Sequence, residues 1–403
     1  MGETKPVLTI LSLLLLCSGG VAADVKTKQI DDLFVALKSK EAPGAAVLVI
    51  KDGRSVFERG YGIADLRTRQ PIDAKTNFRL ASVTKQFTAT AIMLLVHDGK
   101  LRYDTRLTDV FPSFNEYGKA ITIRNLLNHT SGLPDYESLM KKDRAVSFSS
   151  QIHQIQDSEV LDLLSRPHAT KFVPGSQWDY SNSGYVVLGE IVAKISGRPF
   201  GQFLRERIFV PLGMNGTVAY QKGSNAVPHR AFGNSRYKGV WQETDQSSTS
   251  ATLGDGGVYS SVADLAKWDQ ALREHRLLAE SETSAAVTPA VIPNGSAVEP
   301  DGSPAEYGFG WFLNPYRGHK RMWHYGETVG FRTALQRFTD DNLTIIILCN
   351  RSDLDPTALA LKIADLYLQT EGLTTLISNN CRRQSPIRYS YRNARVGSIR
   401  LAR

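Results

Sequence analysis

The sequence predicts a mixed α/β chain: an antiparallel sheet assembled from both chain ends, flanked by helices, with an all-helical lobe inserted between them. Three observations predict it. Two β-rich runs, 45–51 and 54–62, sit near one end; four strand-like segments crowd residues 307–349 near the other; and from about 101 to 254 helical patterns recur between long polar loops.

The first pair of strands is joined by Asp52-Gly53, a two-residue hairpin signal. Phe87–Val96 is apolar for longer than a strand usually runs and ends at Gly99, so it reads as a largely buried helix with a glycine stop. Helices are expected at Thr122–Asn128, Glu159–Ser165, Gly184–Ile195 and Phe200–Val210 in the insert, and at Asp264–Glu274 after it. Strands follow at Tyr307–Leu313, Arg321–His324, Gly330–Phe338 and Leu343–Cys349, with Asp340-Asp341-Asn342 as a turn, and Pro356 opens a last amphipathic helix to Gln369. One domain over 24–372 is expected, with a sheet lobe of about 24–100 and 255–372 around a helical lobe of about 101–254. A cleft between two such lobes is a common place for a site.

Charge and composition narrow the function classes. The chain has 403 residues and a net charge of +8, which would suit a nucleic-acid partner were it spread over the fold. It is not: seven arginines and no acid lie within 381–403, so the body is close to neutral and the tail 373–403 reads as a solvated basic end. Val7–Cys17 is apolar but too short to span a bilayer, and Val21-Ala22-Ala23 resembles a signal-peptidase site. Residues 1–23 therefore read as a signal peptide, and the mature protein as secreted or periplasmic, with no stable membrane insertion after cleavage. Cys17 follows Leu16 rather than the small residue a lipoprotein site calls for. Three cysteines, at 17, 349 and 381, are too few and scattered for a disulfide scaffold, and Cys349 reads as core. The eight histidines show no two-ligand spacing on one helical turn, and G-x-S-x-G, H-E-x-x-H, P-loop and G-x-G-x-x-G patterns are absent.

Three short patterns carry chemistry. Ser82-Val83-Thr84-Lys85 opens the buried helix, placing a hydroxyl where free N–H groups favour negative charge and an amine one turn on. An amine drawn out of water loses proton affinity and can activate a serine, although a capping serine before a surface lysine would read the same. S-x-x-K also occurs at Ser138…Lys141 and Ser235…Lys238, so context separates them. Tyr180-Ser181-Asn182 follows Pro174-Gly175 and precedes a helix; a phenol beside a lysine can relay a proton and an amide can hold a substrate carbonyl. His324-Tyr325-Gly326 lies on an expected strand, where a glycine lets a substrate approach the backbone.

In this order, and with 98 and 144 residues between their first members, the three patterns resemble the serine β-lactamase and penicillin-binding protein superfamily. They are closest to its class C-like, β-lactamase-related hydrolases. Phe78–Ser82, Ile123–Pro134, Gly254-Asp255-Gly256-Gly257 and Gly330-Phe331 are similar to the same branch, over residues 30–372. The resemblance implies a β-lactamase/transpeptidase-like fold and an acyl-enzyme hydrolase needing no metal or organic cofactor. Ser82 would be nucleophile, Lys85 its activating partner, and Tyr180 general base and later proton donor. Asn182 would orient Lys85 and the substrate, with His324 and Gly326 on the substrate-binding strand. An oxyanion hole would come from the Ser82 N–H and one just after Gly326. Penicillin-recognising relatives carry Lys-Thr-Gly where this chain has His-Tyr-Gly followed by Glu327, and a neutral imidazole is a poor clamp for a carboxylate. The expected activity is thus esterase-like hydrolysis of a small ester, amide or peptide, with weak or no β-lactamase activity and no nucleic-acid partner. The alternatives are a D-alanyl-D-alanine carboxypeptidase or D-aminopeptidase, a β-lactamase, and a non-hydrolysing penicillin-binding sensor.

Overall fold

The computed structural model describes residues 25–143, 153–293 and 295–368; the leader read at 1–23 and the basic tail at 373–403 lie outside them. Five strands form the main antiparallel sheet: β1 (Ala45–Lys51), β2 (Arg54–Tyr61), β3 (Arg321–Thr328), β4 (Phe331–Phe338) and β5 (Leu343–Cys349). Their order is β3-β4-β5-β1-β2, so the two chain ends meet at the β1–β5 pair, from Ala45 opposite Cys349 to Lys51 opposite Leu343. The β1–β2 turn is Asp52-Gly53, with φ of 50° and 76°, the two positive values a tight hairpin requires.

Both faces of the central strands are buried. Ala46, Leu48 and Ile50 of β1 and Ile346 and Leu348 of β5 join one continuous core with the helices, and the intervening residues are equally shielded from solvent. This is why both strands read as unbroken apolar runs rather than alternating ones. Cys349 is fully buried and has no disulfide partner among the described residues, and burial pushes its thiol up to about 12, an inert filler of the core.

The central helix is α1 (Lys85–His97), buried from Lys85 to Leu95. Its Phe87 packs against Trp268 at 4.7 Å and Phe209 at 5.4 Å between ring centroids. Helix α2 (Asn182–Ser196) starts on a cap in which Ser181 Oγ accepts from Gly184 N (3.0 Å) and stops at Gly197 in the left-handed region. Helix α3 (Val262–Arg273) is capped by Ser261, and α4 (Pro356–Asp365) by Asp355 with proline at its first turn.

Two expectations are corrected. Tyr307–Leu313 is no strand: it makes only isolated bridges, because Gly310 turns with φ of 77° where the chain presses on the carbonyl of Lys85. The insert is helical as far as Phe209 but not all-helical beyond it. Val218–Ala219 joins Phe78–Arg79 and Val258–Ser260 in a small sheet, and Asn234–Tyr237 pairs with Val240–Glu243 as a hairpin. The small sheet ends three residues before Ser82 and so anchors the turn that carries it.

Helix α3 is pinned to the main sheet by Asp269, which is 1% exposed. One carboxylate oxygen accepts from Arg337 Nε (2.8 Å) and Thr344 Oγ1 (2.7 Å), the other from Arg273 Nε (3.1 Å). Removing the acid strands a buried guanidinium. Asp269→Ala is therefore expected to cost roughly 3 kcal/mol or more, read as a lowered urea midpoint at unchanged m-value.

Candidate active site

The polypeptide enters the site through a constrained turn. Ala81 has φ of +48°, unusual for a residue with a Cβ, and Ala81–Thr84 form a 3-10 turn rather than the first turn of α1, which begins at Lys85. The turn is held from both sides. Leu80 N donates to Val258 O (2.8 Å), and Leu80 O accepts from Thr333 Oγ1 of β4 (2.9 Å). Arg79, 4% exposed, donates to Gly256 O (3.1 Å) and Ser250 O (3.2 Å). Ser82 is left half-buried at its surface.

Lys85 lies one turn beyond, fully buried, and its Nζ reaches three acceptors: Ser82 Oγ at 3.2 Å, Asn182 Oδ1 at 2.8 Å and the Asp255 carbonyl at 3.0 Å. Burial lowers its pKa to about 8, against the opposing pull of the Asp255 carboxylate. As a free amine it can still donate to Asn182 and to Asp255 O while turning its lone pair on the serine hydroxyl. Asn182 is placed here because it is the first residue of α2.

Tyr180 precedes the α2 cap, its ring 4.9 Å from Lys85 Nζ. Its hydroxyl is buried with no properly aligned hydrogen bond among the described residues, although Ser82 lies near enough to oppose the rise in its pKa. Burial drives that rise well above the ordinary phenol range, so at neutral pH Tyr180 keeps its proton. Protonated, it can give a proton to a departing group; the resemblance implied a general base that later becomes such a donor.

The strand β3 lies at the sheet edge, so part of its backbone is free of partners in the sheet. His324, however, offers a substrate no polar atom. It is 0% exposed; Nδ1–H donates to Tyr325 O (2.6 Å), which as a carbonyl can only accept, and the bare Nε2 accepts from Tyr307 Oη (3.1 Å). Burial first, then the charge of Lys85, lowers its pKa to about 3, and the ring is neutral. The resemblance implied a substrate-binding His324, whereas here both of its nitrogens are taken up inside the protein. At Gly326 a Cβ would land on Leu80 O and Thr333 Oγ1, so its missing side chain lets β3 lie against the Ser82 turn. Glu327 is turned outward and paired with Arg332 at 2.7 Å.

The sequence patterns missed two contributors. The Asp255 carbonyl, third acceptor for Lys85, lies in Gly254-Asp255-Gly256-Gly257, whose density of glycines is a legible sign of close backbone approach. A Cβ at Gly254 would strike Tyr185 O, and Gly254 O is held by Thr88 Oγ1 (2.6 Å) of α1. The other is an aromatic wall of Trp178, Tyr307 and Phe312 around Tyr180 and His324, which nothing local in the sequence announces.

Comparison with known proteins bears on this geometry. The family described as Beta-lactamase matches residues 30–369. The chain is 32% identical over 341 residues to penicillin-binding protein 4* of Bacillus subtilis (strain 168), covering 81% of this chain and 72% of that one. It is 30% identical over 324 residues to a D-aminopeptidase of Cereibacter sphaeroides, covering 76% of this chain but only 57% of that relative, little more than half its length. Among solved structures, the D-amino acid amidase from Ochrobactrum anthropi SV3, complexed with L-phenylalanine amide, matches with a TM-score of 0.67 at 27% identity. That match covers 89% of this chain and 99% of the amidase.

Gly326→Ala tests the packing of β3 on the turn. The added methyl is expected to push the strand off Leu80 and Ala81 and to lower kcat/KM about a hundredfold, the scale of a misplaced reacting group. Circular dichroism should show the fold retained.

Proposed function

The chain belongs to the Beta-lactamase family and is a serine hydrolase of its β-lactamase and penicillin-binding protein group, and we propose that it hydrolyses small amides and esters that present no carboxylate to β3, D-amino acid amides foremost. The hydrolytic half of this reading rests on Lys85, a desolvated amine aimed at Ser82 and held by two further acceptors. The single observation that carries the substrate half is His324. Where Lys-Thr-Gly relatives have an ammonium, it is neutral, buried and has both nitrogens in use. A penicillin or a D-alanyl-D-alanine terminus would bring a carboxylate to a strand whose one cation, Arg321, is buried and paired with Glu299. An amide or ester of a D-amino acid would not, and a D-aminopeptidase and a D-amino acid amidase are among the similar proteins.

In the proposed reaction the neutral Lys85 amine takes the Ser82 proton as Oγ adds to the substrate carbonyl carbon. The N–H of Ser82 and one on the free edge of β3 would receive the oxyanion. The bond to the leaving group then breaks, and Tyr180 gives that group its proton and regains one from Lys85. Water repeats the sequence in reverse on the acyl-Ser82 ester.

A panel on wild type and Ser82→Ala tests this: a D-amino acid amide, the matching p-nitrophenyl ester, a D-alanyl-D-alanine peptide and nitrocefin. Turnover of the first two should exceed that of the carboxylate-bearing pair by about tenfold or more, the scale of a charge left unpaired, and vanish in Ser82→Ala. Preferred cleavage of the D-alanyl-D-alanine peptide would overturn the substrate assignment, and turnover surviving in Ser82→Ala the mechanism. The state of Lys85 sets the pH dependence. Its active form is the free base, whose fraction grows as pH rises, so kcat/KM should climb through an apparent pKa of about 8. A flat profile from pH 6 to 10 would exclude Lys85 as the base.

A further inference from the structure

His129 lies in Asn128-His129-Thr130-Ser131-Gly132, and the reaction just proposed gives it no role. It is 0% exposed and has φ of +62°, a left-handed backbone that a β-substituted residue adopts only when its surroundings enforce it. Its carbonyl accepts from Asp179 N (3.0 Å), and its Nδ1 accepts from Ser181 N (3.1 Å). These two bonds fall on the residues either side of Tyr180. Since Nδ1 accepts, the ring proton sits on Nε2, which has no partner among the described residues.

The ring closes the arrangement. Its centroid is 4.4 Å from that of Tyr180 and 4.6 Å from that of Tyr307, those two rings are themselves 6.5 Å apart, and Tyr307 is tied by its hydroxyl to His324. We propose that His129 is the positioning residue of Tyr180. It fixes the backbone on both sides of the phenol and packs on its ring, and His324 contributes by anchoring Tyr307, which touches both rings, rather than by meeting substrate. A histidine serving only to fill the core would not need an acceptor on the N–H of the residue next to Tyr180. An unpaired Nε2–H deep in the protein is a cost that filling alone would not justify, since an apolar ring fills the same space.

The inference rests on Tyr180 as proton donor to the leaving group, and that makes it separable from general damage. A p-nitrophenolate departs without a proton, whereas an amine must receive one. A mispositioned Tyr180 therefore slows acylation by the amide far more than by the ester of the same acyl group. The ratio of kcat/KM for amide over ester, with active enzyme counted by fluorophosphonate labelling of Ser82, is the readout. Tyr180→Phe should lower that ratio about a hundredfold, and His129→Phe, which keeps a ring but loses the acceptor, about tenfold or more. His129→Asn offers an acceptor near the place of Nδ1 and tolerates positive φ, so it should hold the ratio within about threefold of wild type.

Equal losses on both substrates in His129→Phe, or a fall in His129→Asn as deep as in His129→Phe, would reduce His129 to packing and overturn the proposal. Should His129→Phe not fold, Tyr307→Phe removes only the hydroxyl that ties its ring to His324. It should lower the ratio about two- to threefold, the weight of one lost hydrogen bond at second hand, and an unchanged ratio counts against the proposal. If Tyr180→Phe itself leaves the ratio intact, the donor role fails, a result distinct from failure at His129 alone.

Discussion

One buried amine organises this protein. Lys85 is withdrawn from water, where an ammonium is costly, and the fold answers with three acceptors from three separate parts of the chain. The 3-10 turn supplies Ser82; the first residue of α2 supplies Asn182, 97 positions away; and the glycine-rich loop supplies the Asp255 carbonyl, 170 positions away. Each donor of Lys85 is thereby used, and the direction of its lone pair on deprotonation is settled before any substrate arrives. The strand-first, insert-second topology follows from the same requirement. The sheet made by the chain ends carries the serine turn and β3, and the insert must return to lay α2 and the loop across α1.

The electrostatics of the site follow from the amine of Lys85 at its centre. His129 and His324 are both held neutral, by burial first and by the charge of Lys85 second. An ammonium at position 324 would add a second positive charge near the first and press the Lys85 pKa lower still. This chain instead places an imidazole there whose nitrogens are used up internally. The same buried imidazole joins the aromatic wall through Tyr307, and that wall packs against the Tyr180 phenol.

Much of this was legible in the sequence, for identifiable reasons. The β1–β2 hairpin could be read because Asp52-Gly53 satisfies a backbone need that few dipeptides meet, and β5 because a strand buried on both faces has no polar interruptions. Ser82, Lys85, Tyr180 and Asn182 could be named because their order and spacing are distinctive jointly, though each pattern is common alone. What could not be read depends on packing between distant segments. Tyr307–Leu313 has strand-like composition, yet Gly310 must bend it against Lys85 O. The small strands after residue 209 are too short to leave a periodic signal. His324 was assigned to substrate by the resemblance, and its bond to Tyr307 could not be foreseen because Tyr307 lies on a segment whose path the local pattern misjudged.

The strain at Ala81 shows how tightly the site is fixed. A left-handed alanine is less stable than its relaxed form by about 1 kcal/mol, and left to itself the turn would relax and rotate Ser82 out of reach of Lys85. Relaxation is opposed by Val258 at the amide of Leu80, by Thr333 at its carbonyl and by β3 lying flush at Gly326. Three restraints on one turn exceed what its own strain demands. The surplus means that the position of Ser82 is set by the sheet rather than by the helix it precedes. The hydroxyl and the amine can then belong to different structural elements, a 3-10 turn and an α-helix, and still hold their mutual distance, because each is fixed independently to the same β4–glycine-loop framework.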